Sequence, residues 1–287
     1  MKKAFPIIVI LIIFAAIVAA LMLLVPAIRY GAFGVNLQYG FKPGSSEKYT
    51  EKTDVSFKGK ASESTAKGFD LTSEKSLNVE TTKADKDSAF VMMTSQIISR
   101  GASLDNKVKT AIPGSGDKSS LSVKVTPQGN ILDLEAPRIS PDKREKAIKL
   151  YQFFTGFIML PEKSIRPGQT WEQPVDADFE QDYLGLNTPI KGNITHKLVK
   201  LENYNGVMAA VIESTGTFNT QSSLVKNKLV SMDAVITVKG SFYFDIAKGM
   251  PLHSEREINI ELNKTVPVIN VKVKAGSTIK TVMDKQK

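Results

Sequence analysis

The stretch Ser140–Pro161, SPDKREKAIKLYQFFTGFIMLP, decides the predicted fold. Ser140 is a favourable N-cap because its hydroxyl accepts from a backbone N–H that has no partner within the helix, and Pro141 suits a first helical turn. Apolar residues then recur at helical spacing, and Pro161 ends the pattern. We therefore predict a helix over residues 140–160, the only one expected beyond the N-terminus.

The chain on both sides of this stretch shows the alternation of apolar and polar residues that is typical of β-strands. Residues 47–138 and 165–283 form two such halves, and the second contains an Asn-Gly turn signal within Asn203–Gly206. This pattern predicts a mainly antiparallel, curved β-sheet packed on the central helix. The sheet is either one half-barrel or two related β-meanders.

The N-terminal region contains an uncharged apolar run at residues 5–28, preceded by Lys2 and Lys3. At about 1.5 Å per residue, the run is long enough to cross a hydrocarbon core of ~30 Å. Signal peptides have shorter apolar regions, so we predict an uncleaved signal-anchor over residues 1–30, with a cleaved signal peptide as the alternative. The two lysines favour a cytoplasmic N-terminus.

The predicted fold class is therefore α+β, with an N-terminal transmembrane helix followed by the sheet and its central helix. We predict that residues 31–46 are a tether and that residues 47–287 form an extracytoplasmic β-rich domain. The anchoring run at residues 5–28 would make the membrane the first partner of this protein.

The composition excludes several classes of function. The chain of 287 residues contains no cysteine, which excludes a disulfide framework, a thiolate metal site, a cysteine nucleophile and a lipoprotein anchor. The net charge is +9, but the lysines are scattered along alternating strands and do not form dense blocks with aromatic residues. We therefore predict no nucleic-acid partner.

No sequence motif indicates catalysis or metal binding. The two histidines, His196 and His253, lie within predicted strands, and the chain contains no GxSxG or HExxH sequence. Carboxylates at alternate positions in residues 176–182 lack the spacing of an EF-hand loop. We therefore predict that the protein is not an enzyme, with no catalytic residues, no metal site and no cofactor.

Two stretches, LPEKSIRPGQTW (160–171) and SMDAVITVKGSFYFDIAKGMPLHSE (231–255), resemble a family of uncharacterised bacterial envelope proteins. In that family, Leu-Pro and Gly-x-Thr/Ser-Trp elements follow a helix, and a strand ending in Phe-Asp-x-x-x-Gly comes later. The resemblance covers most of residues 45–285 and implies no catalytic activity. The strand–helix–strand order is also similar to lipoprotein-carrier half-barrels, in which a curved sheet wraps a helix.

These observations predict a single-pass protein of the bacterial inner (cytoplasmic) membrane whose extracytoplasmic domain binds a lipid or another apolar ligand between sheet and helix. Apolar burial contributes ~25 cal/mol per Å² without specific side-chain chemistry, so such a site leaves little sequence signature. The predicted ligand-binding residues are the aromatic residues of the helix, Tyr151, Phe153, Phe154 and Phe157. The alternative is a structural module that docks another cell-envelope protein and holds no small ligand.

Overall fold

The computed structural model describes residues 34–61, 67–104, 108–113, 118–137, 139–154, 157–181, 186–224, 227–266 and 271–286. Within these ranges, twelve antiparallel strands form one sheet, and one α-helix lies against it. The helix is α1 (Arg144–Phe154), preceded by a 3-10 turn at Pro141–Lys143. The strands are β1 (Ser46–Ala61), β2 (Lys67–Ala84), β3 (Ala89–Leu104), β4 (Val108–Pro113), β5 (Lys118–Val125), β6 (Ile131–Glu135), β7 (Thr170–Gln181), β8 (Leu186–Tyr204), β9 (Val207–Leu224), β10 (Asn227–Asp245), β11 (Met250–Val266) and β12 (Val271–Lys285).

The two halves of the chain form one continuous sheet. The strand order is β6-β5-β3-β2-β1-β12-β11-β10-β9-β8-β7, and β4 pairs with β3. The first strand, β1, pairs with the last, β12, from Tyr49 opposite Lys285 to Ala61 opposite Val273. Of the two arrangements left open by the sequence, the structure therefore shows a single sheet.

The sheet curves around α1. The helix contacts both β6 and β7, which are the edge strands at opposite ends of the strand order. Arg144 at the start of the helix forms ion pairs with Asp133 and Glu135 of β6, at 3.5 and 3.8 Å. Because successive side chains of a strand point to opposite faces, each strand has one set directed toward the helix. We call that side of the sheet the inner face.

Buried apolar residues of the inner face form two clusters. The pattern is clear on β10, where Ala234, Ile236 and Val238 are buried while the residues between them are only partly buried. The smaller cluster packs Phe153 of α1 against Val175, Ile194 and Phe218 of the β7–β9 region. The helix is therefore held mainly by burial of its apolar side.

The central helix is shorter than predicted. The expected helix over residues 140–160 begins with the 3-10 turn and ends at Phe154. Residues 157–160, which we call the strap, are not helical and lie mostly buried beneath the sheet.

Side chains from other elements hold the strap. The Tyr39 hydroxyl donates to Ile158 O at 3.2 Å, and Trp171 Nε1 donates to Met159 O at 2.6 Å. Met159 N–H donates to Gln173 Oε1 at 3.1 Å. Because these partners satisfy buried backbone groups, the strap does not need the hydrogen bonds of a helical turn.

The predicted fold class, α+β with an N-terminal transmembrane helix, is wrong. The described residues are almost entirely antiparallel strand. The single α-helix among them has only 11 residues. The predicted signal-anchor at residues 5–28 lies outside the described residues, and no helix within the described ranges is long and apolar enough to cross a membrane. The prediction of a single-pass protein of the inner membrane is therefore wrong and is not retained.

Part of the predicted tether, residues 31–46, is packed into the core, whereas residues 42–44 are exposed. Val35, Leu37 and Tyr39 are buried in the larger cluster. Val35 also exchanges two backbone hydrogen bonds with Ile165, of 2.8 and 2.9 Å. Apolar residues at every second position are the signal of an extended, half-buried segment, and the prediction of a tether overlooked it.

Candidate functional site

A cavity of about 430 Å³ lies between the inner face of the sheet and α1. We call it the inner groove. Its volume falls in the range of ~300–1,000 Å³ that is usual for small-ligand sites. Residues of seven strands and one helix line it, and its apolar wall comprises Leu77, Met93, Leu121, Tyr151, Phe154, Phe242, Ile279 and Met283.

Strand pairing brings residues from the two ends of the chain into this groove. Thr53 on β1 lies directly opposite Thr281 on β12, and their hydroxyl oxygens are 3.4 Å apart. Residues two positions apart on a strand share a face, so Ile279 and Met283 line the groove together with Thr281. The groove therefore exists only when the two halves are joined into one sheet.

The structure separates the four predicted ligand-binding residues into two pairs. Tyr151 and Phe154 line the inner groove. Phe153 is 1% exposed and packs against Phe218, with ring centroids 5.6 Å apart. Phe157 lies in the strap, in ring contact with Tyr39 at 5.2 Å. Ligand contact by all four residues stays a prediction; Phe157 lines a small space of about 40 Å³ together with Tyr151, Met93 and Met283.

Tyr151 presents a neutral phenol at the edge of the groove. Its hydroxyl donates to Met93 Sδ at 3.3 Å. Burial, with a smaller effect from the charge of Glu51, raises the pKa of the Tyr151 phenol well above its usual range. The phenol therefore stays protonated at physiological pH and adds no charge to the groove.

Three charged residues line the inner groove, and the sequence analysis missed all of them. Glu51 on β1 and Lys75 on β2 form an ion pair of 3.0 Å. The guanidinium of Arg256 on β11 lies 5.6 Å from the ring centroid of Phe153. Burial lowers the pKa of Arg256 to about 10, so the residue is still charged at neutral pH. Each of the three has one buried or partly buried apolar residue two positions away on its strand, namely Tyr49, Leu77 and Ile258, and this is the only signal in the sequence.

His196 is a buried, fully hydrogen-bonded histidine. Gln173 Oε1 accepts from Met159 N–H and lies 3.0 Å from His196 Nε2, so Nε2 carries the ring proton. Nδ1 then accepts from the Ser214 hydroxyl at 2.6 Å. The adjoining space has a volume of about 10 Å³, too small for a substrate. The Ser–His pair therefore belongs to the core.

The second histidine lies on the opposite face of the sheet. His253 Nδ1 is 2.6 Å from a carboxylate oxygen of Asp284, and its Nε2 is 3.4 Å from Glu255. The rings of Tyr204 and Tyr243 pack nearby. This cluster does not reach the inner groove.

No family model and no curated protein matches the chain. The resemblance to uncharacterised envelope proteins therefore stays a resemblance. A solved structure described as lipid–protein interactions in lipovitellin is similar over 86% of this chain, with 10% sequence identity and a TM-score of 0.45. The match spans 25% of that chain. At this level of similarity, the comparison carries no argument about function.

Proposed function

We propose that the protein binds a lipid or another apolar ligand in the inner groove. The observation that carries this proposal is the groove of about 430 Å³ beside apolar side chains such as Leu77, Met93 and Met283. Protein interiors are normally close-packed, with few voids larger than a water molecule. An apolar chain in this space would gain ~25 cal/mol for each Å² that it removes from water.

The alternative function, docking of another envelope protein, requires a contiguous exposed apolar patch. On the outer face of β3, Phe90 and Met92 are 39% and 36% exposed. Lys124 lies opposite Phe90 on β5, and its ammonium is 5.4 Å from the centroid of the Phe90 ring. This charge interrupts the apolar patch at Phe90 and Met92.

A substitution that fills the groove tests the proposal. Ser95 lines the groove, and its hydroxyl shares only an exposed hydrogen bond of 2.7 Å with Ser119. Ser95→Phe should reduce the affinity for an uncharged fluorescent hexadecyl probe at least tenfold, a loss of about 1.4 kcal/mol. The matched control is Gln96→Phe, which adds the same side chain at the adjacent, exposed position.

The control variant should bind the probe as the wild type does, and both variants should melt at similar temperatures. A wild-type protein that does not bind the probe would contradict the proposal. Equal affinities of the two variants would show that the probe binds elsewhere.

A further inference from the structure

We propose that the ligand is a lipid whose hydrocarbon chain is longer than the inner groove and enters it tail first. The end of the chain lies in the groove, and the part next to the head group lies on an exposed apolar surface of β1 and β2. We call this surface the open patch; it consists of Val55, Phe57, Phe69 and Leu71. The inference rests on the ligand-binding function proposed above and adds the class of ligand and its direction in the site.

The open patch belongs to the inner face and is continuous with the groove. Residues directly opposite each other on paired strands share a face of the sheet. Ile279 on β12 lines the inner groove and lies opposite Val55 on β1. One apolar row crosses five neighbouring strands through Val238, Ile258, Ile279, Val55 and Leu71. The groove and the open patch therefore form one continuous apolar surface.

Exposure increases along this row in the direction away from α1. Val238 and Ile258 belong to the cluster that contains Phe153 of the helix, and they are 1% and 3% exposed. Leu71, at the other end of the row, is 43% exposed. The helix therefore covers the row on β10 and β11, whereas the row is open to solvent on β2.

A stacked pair of aromatic rings widens the open patch. Phe57 and Phe69 lie opposite each other on β1 and β2, with ring centroids 5.2 Å apart and an angle of 22° between the ring planes. Single exposed apolar side chains are common on protein surfaces, whereas a contiguous exposed patch is typical of a binding surface. Because the open patch joins the groove at Ile279, the occupant that suits it is the ligand of the groove.

The opposite end of the groove is closed by buried side chains. Tyr49, Val79 and Met283 are almost fully buried, and the space that they help to line has a volume of about 40 Å³. A polar head group would lose its hydration there without gaining hydrogen bonds. The end of the hydrocarbon chain is therefore the part that lies at Met283, and the head group stays at the solvent-exposed end, beside the open patch.

The dimensions of β12 relate this arrangement to the length of the chain. At ~3.3 Å per residue, the distance along β12 is about 13 Å from Met283 to Ile279, which both line the groove. The distance is about 20 Å from Met283 to Ser277, which lies opposite Phe57 of the open patch. An extended decyl chain therefore ends within the groove, whereas an extended hexadecyl chain reaches the open patch.

The chain crosses two threonines between the closed end and the open patch. The hydroxyl oxygens of Thr53 and Thr281 are 3.4 Å apart, so the two hydroxyl groups are hydrogen-bonded to each other. A hydrocarbon chain that covers them therefore leaves neither group without a partner.

Chain-length dependence in two matched variants tests the inference. The probes are uncharged fluorescent decyl and hexadecyl compounds with the same head group, and the variants are Phe69→Ser and Phe90→Ser. Both phenylalanines are 39% exposed, and Phe90 is the control because it lies on the outer face. Phe69→Ser should weaken hexadecyl binding about fivefold or more, since less of the chain is removed from water. Its decyl affinity, and both affinities of Phe90→Ser, should stay within twofold of the wild type.

Photolabelling of the wild type tests the direction of binding without any variant. A hexadecyl probe with a diazirine next to its head group should label the peptides that contain Phe69 or Leu71. Labels at Met93 or Met283 instead would show the reverse direction and overturn the inference, with the proposed function intact. If Phe69→Ser does not fold, the position of this label decides.

The remaining outcomes separate the inference from the proposed function. Hexadecyl binding that is unchanged in Phe69→Ser, or decyl and hexadecyl binding that fall equally, would overturn the role of the open patch alone. Dimerisation of the wild type that is lost in Phe69→Ser, with unchanged probe affinity, would assign the open patch to a second copy of the chain. A wild-type protein that binds neither probe would contradict the inference and the proposed function together.

Discussion

At the residue scale, Gln173 connects the strap to the sheet. One amide oxygen accepts from Met159 of the strap and from His196 of β8. In the sequence, Gln173 is only a polar residue within a predicted strand. Its role is not visible there because Met159 and His196 become its neighbours only in the folded protein. His196 was predicted to be a strand histidine without a catalytic motif, but its burial and its partners followed from the strand register, which the sequence does not define.

We predict that acid weakens the fold through His196. Its pKa is about 4 in the folded protein and about 6.5 in an unfolded chain. Between these values only the unfolded state takes up the proton, so stability is unaffected above pH 6.5 and falls as the pH decreases toward 4. The expected loss is on the order of 3 kcal/mol. Urea unfolding at pH 7 and pH 4 should show a smaller loss for His196→Gln than for the wild type, and equal losses would contradict the assignment.

At the element scale, the sequence predicts the strands and the tight turns well. The turn between β8 and β9 contains Asn205 at φ 52° and Gly206 at φ 86°, as the Asn-Gly signal predicts. Both angles lie in the left-handed region that Asn and Gly tolerate. Turns and alternation are local properties, and local sequence determines them.

The end of the helix could not be predicted in the same way. Apolar residues continue through residues 157–160 as far as Pro161, and this periodicity outweighed Gly156, a residue type that often ends a helix. The structure shows that Tyr39, Trp171 and Gln173 hold this strap by hydrogen bonds. Since Tyr39 is more than a hundred residues away along the chain, helical periodicity alone could not reveal the change.

Two adjacent phenylalanines of α1, Phe153 and Phe154, differ in their burial. Phe153 is buried and packs against the rings of Phe154 and Phe218, at 4.9 and 5.6 Å between centroids. Phe153→Ala should therefore cost roughly 3–5 kcal/mol of unfolding free energy. Phe154 is only partly buried and faces the inner groove, so Phe154→Ala should cost less and weaken ligand binding. Denaturant unfolding checks the order, and equal costs would show that the buried side of the helix is assigned wrongly.

At the scale of the whole molecule, antiparallel strands were predictable from the alternation of residues, but the almost entirely β fold class and the strand pairing that forms the groove were not. The pairing of β1 with β12 joins residues more than two hundred positions apart. This register places Thr53, Thr281 and Arg256 on one lining. Of the predicted site residues, Tyr151 and Phe154 line the groove. The charged residues of the groove could not be predicted, because the sequence does not show which face of each strand points inward.

The most direct test of ligand binding is photolabelling of the wild-type protein with a hexadecyl probe that carries a diazirine near the end of its chain. Peptide mass spectrometry would locate the labelled residues. Our account predicts labels in the peptides that contain Met93, Tyr151 or Met283, and their loss when unlabelled ligand is added in excess. Labels concentrated around the outer-face residues Phe90 and Met92, or labels that excess ligand does not displace, would contradict it.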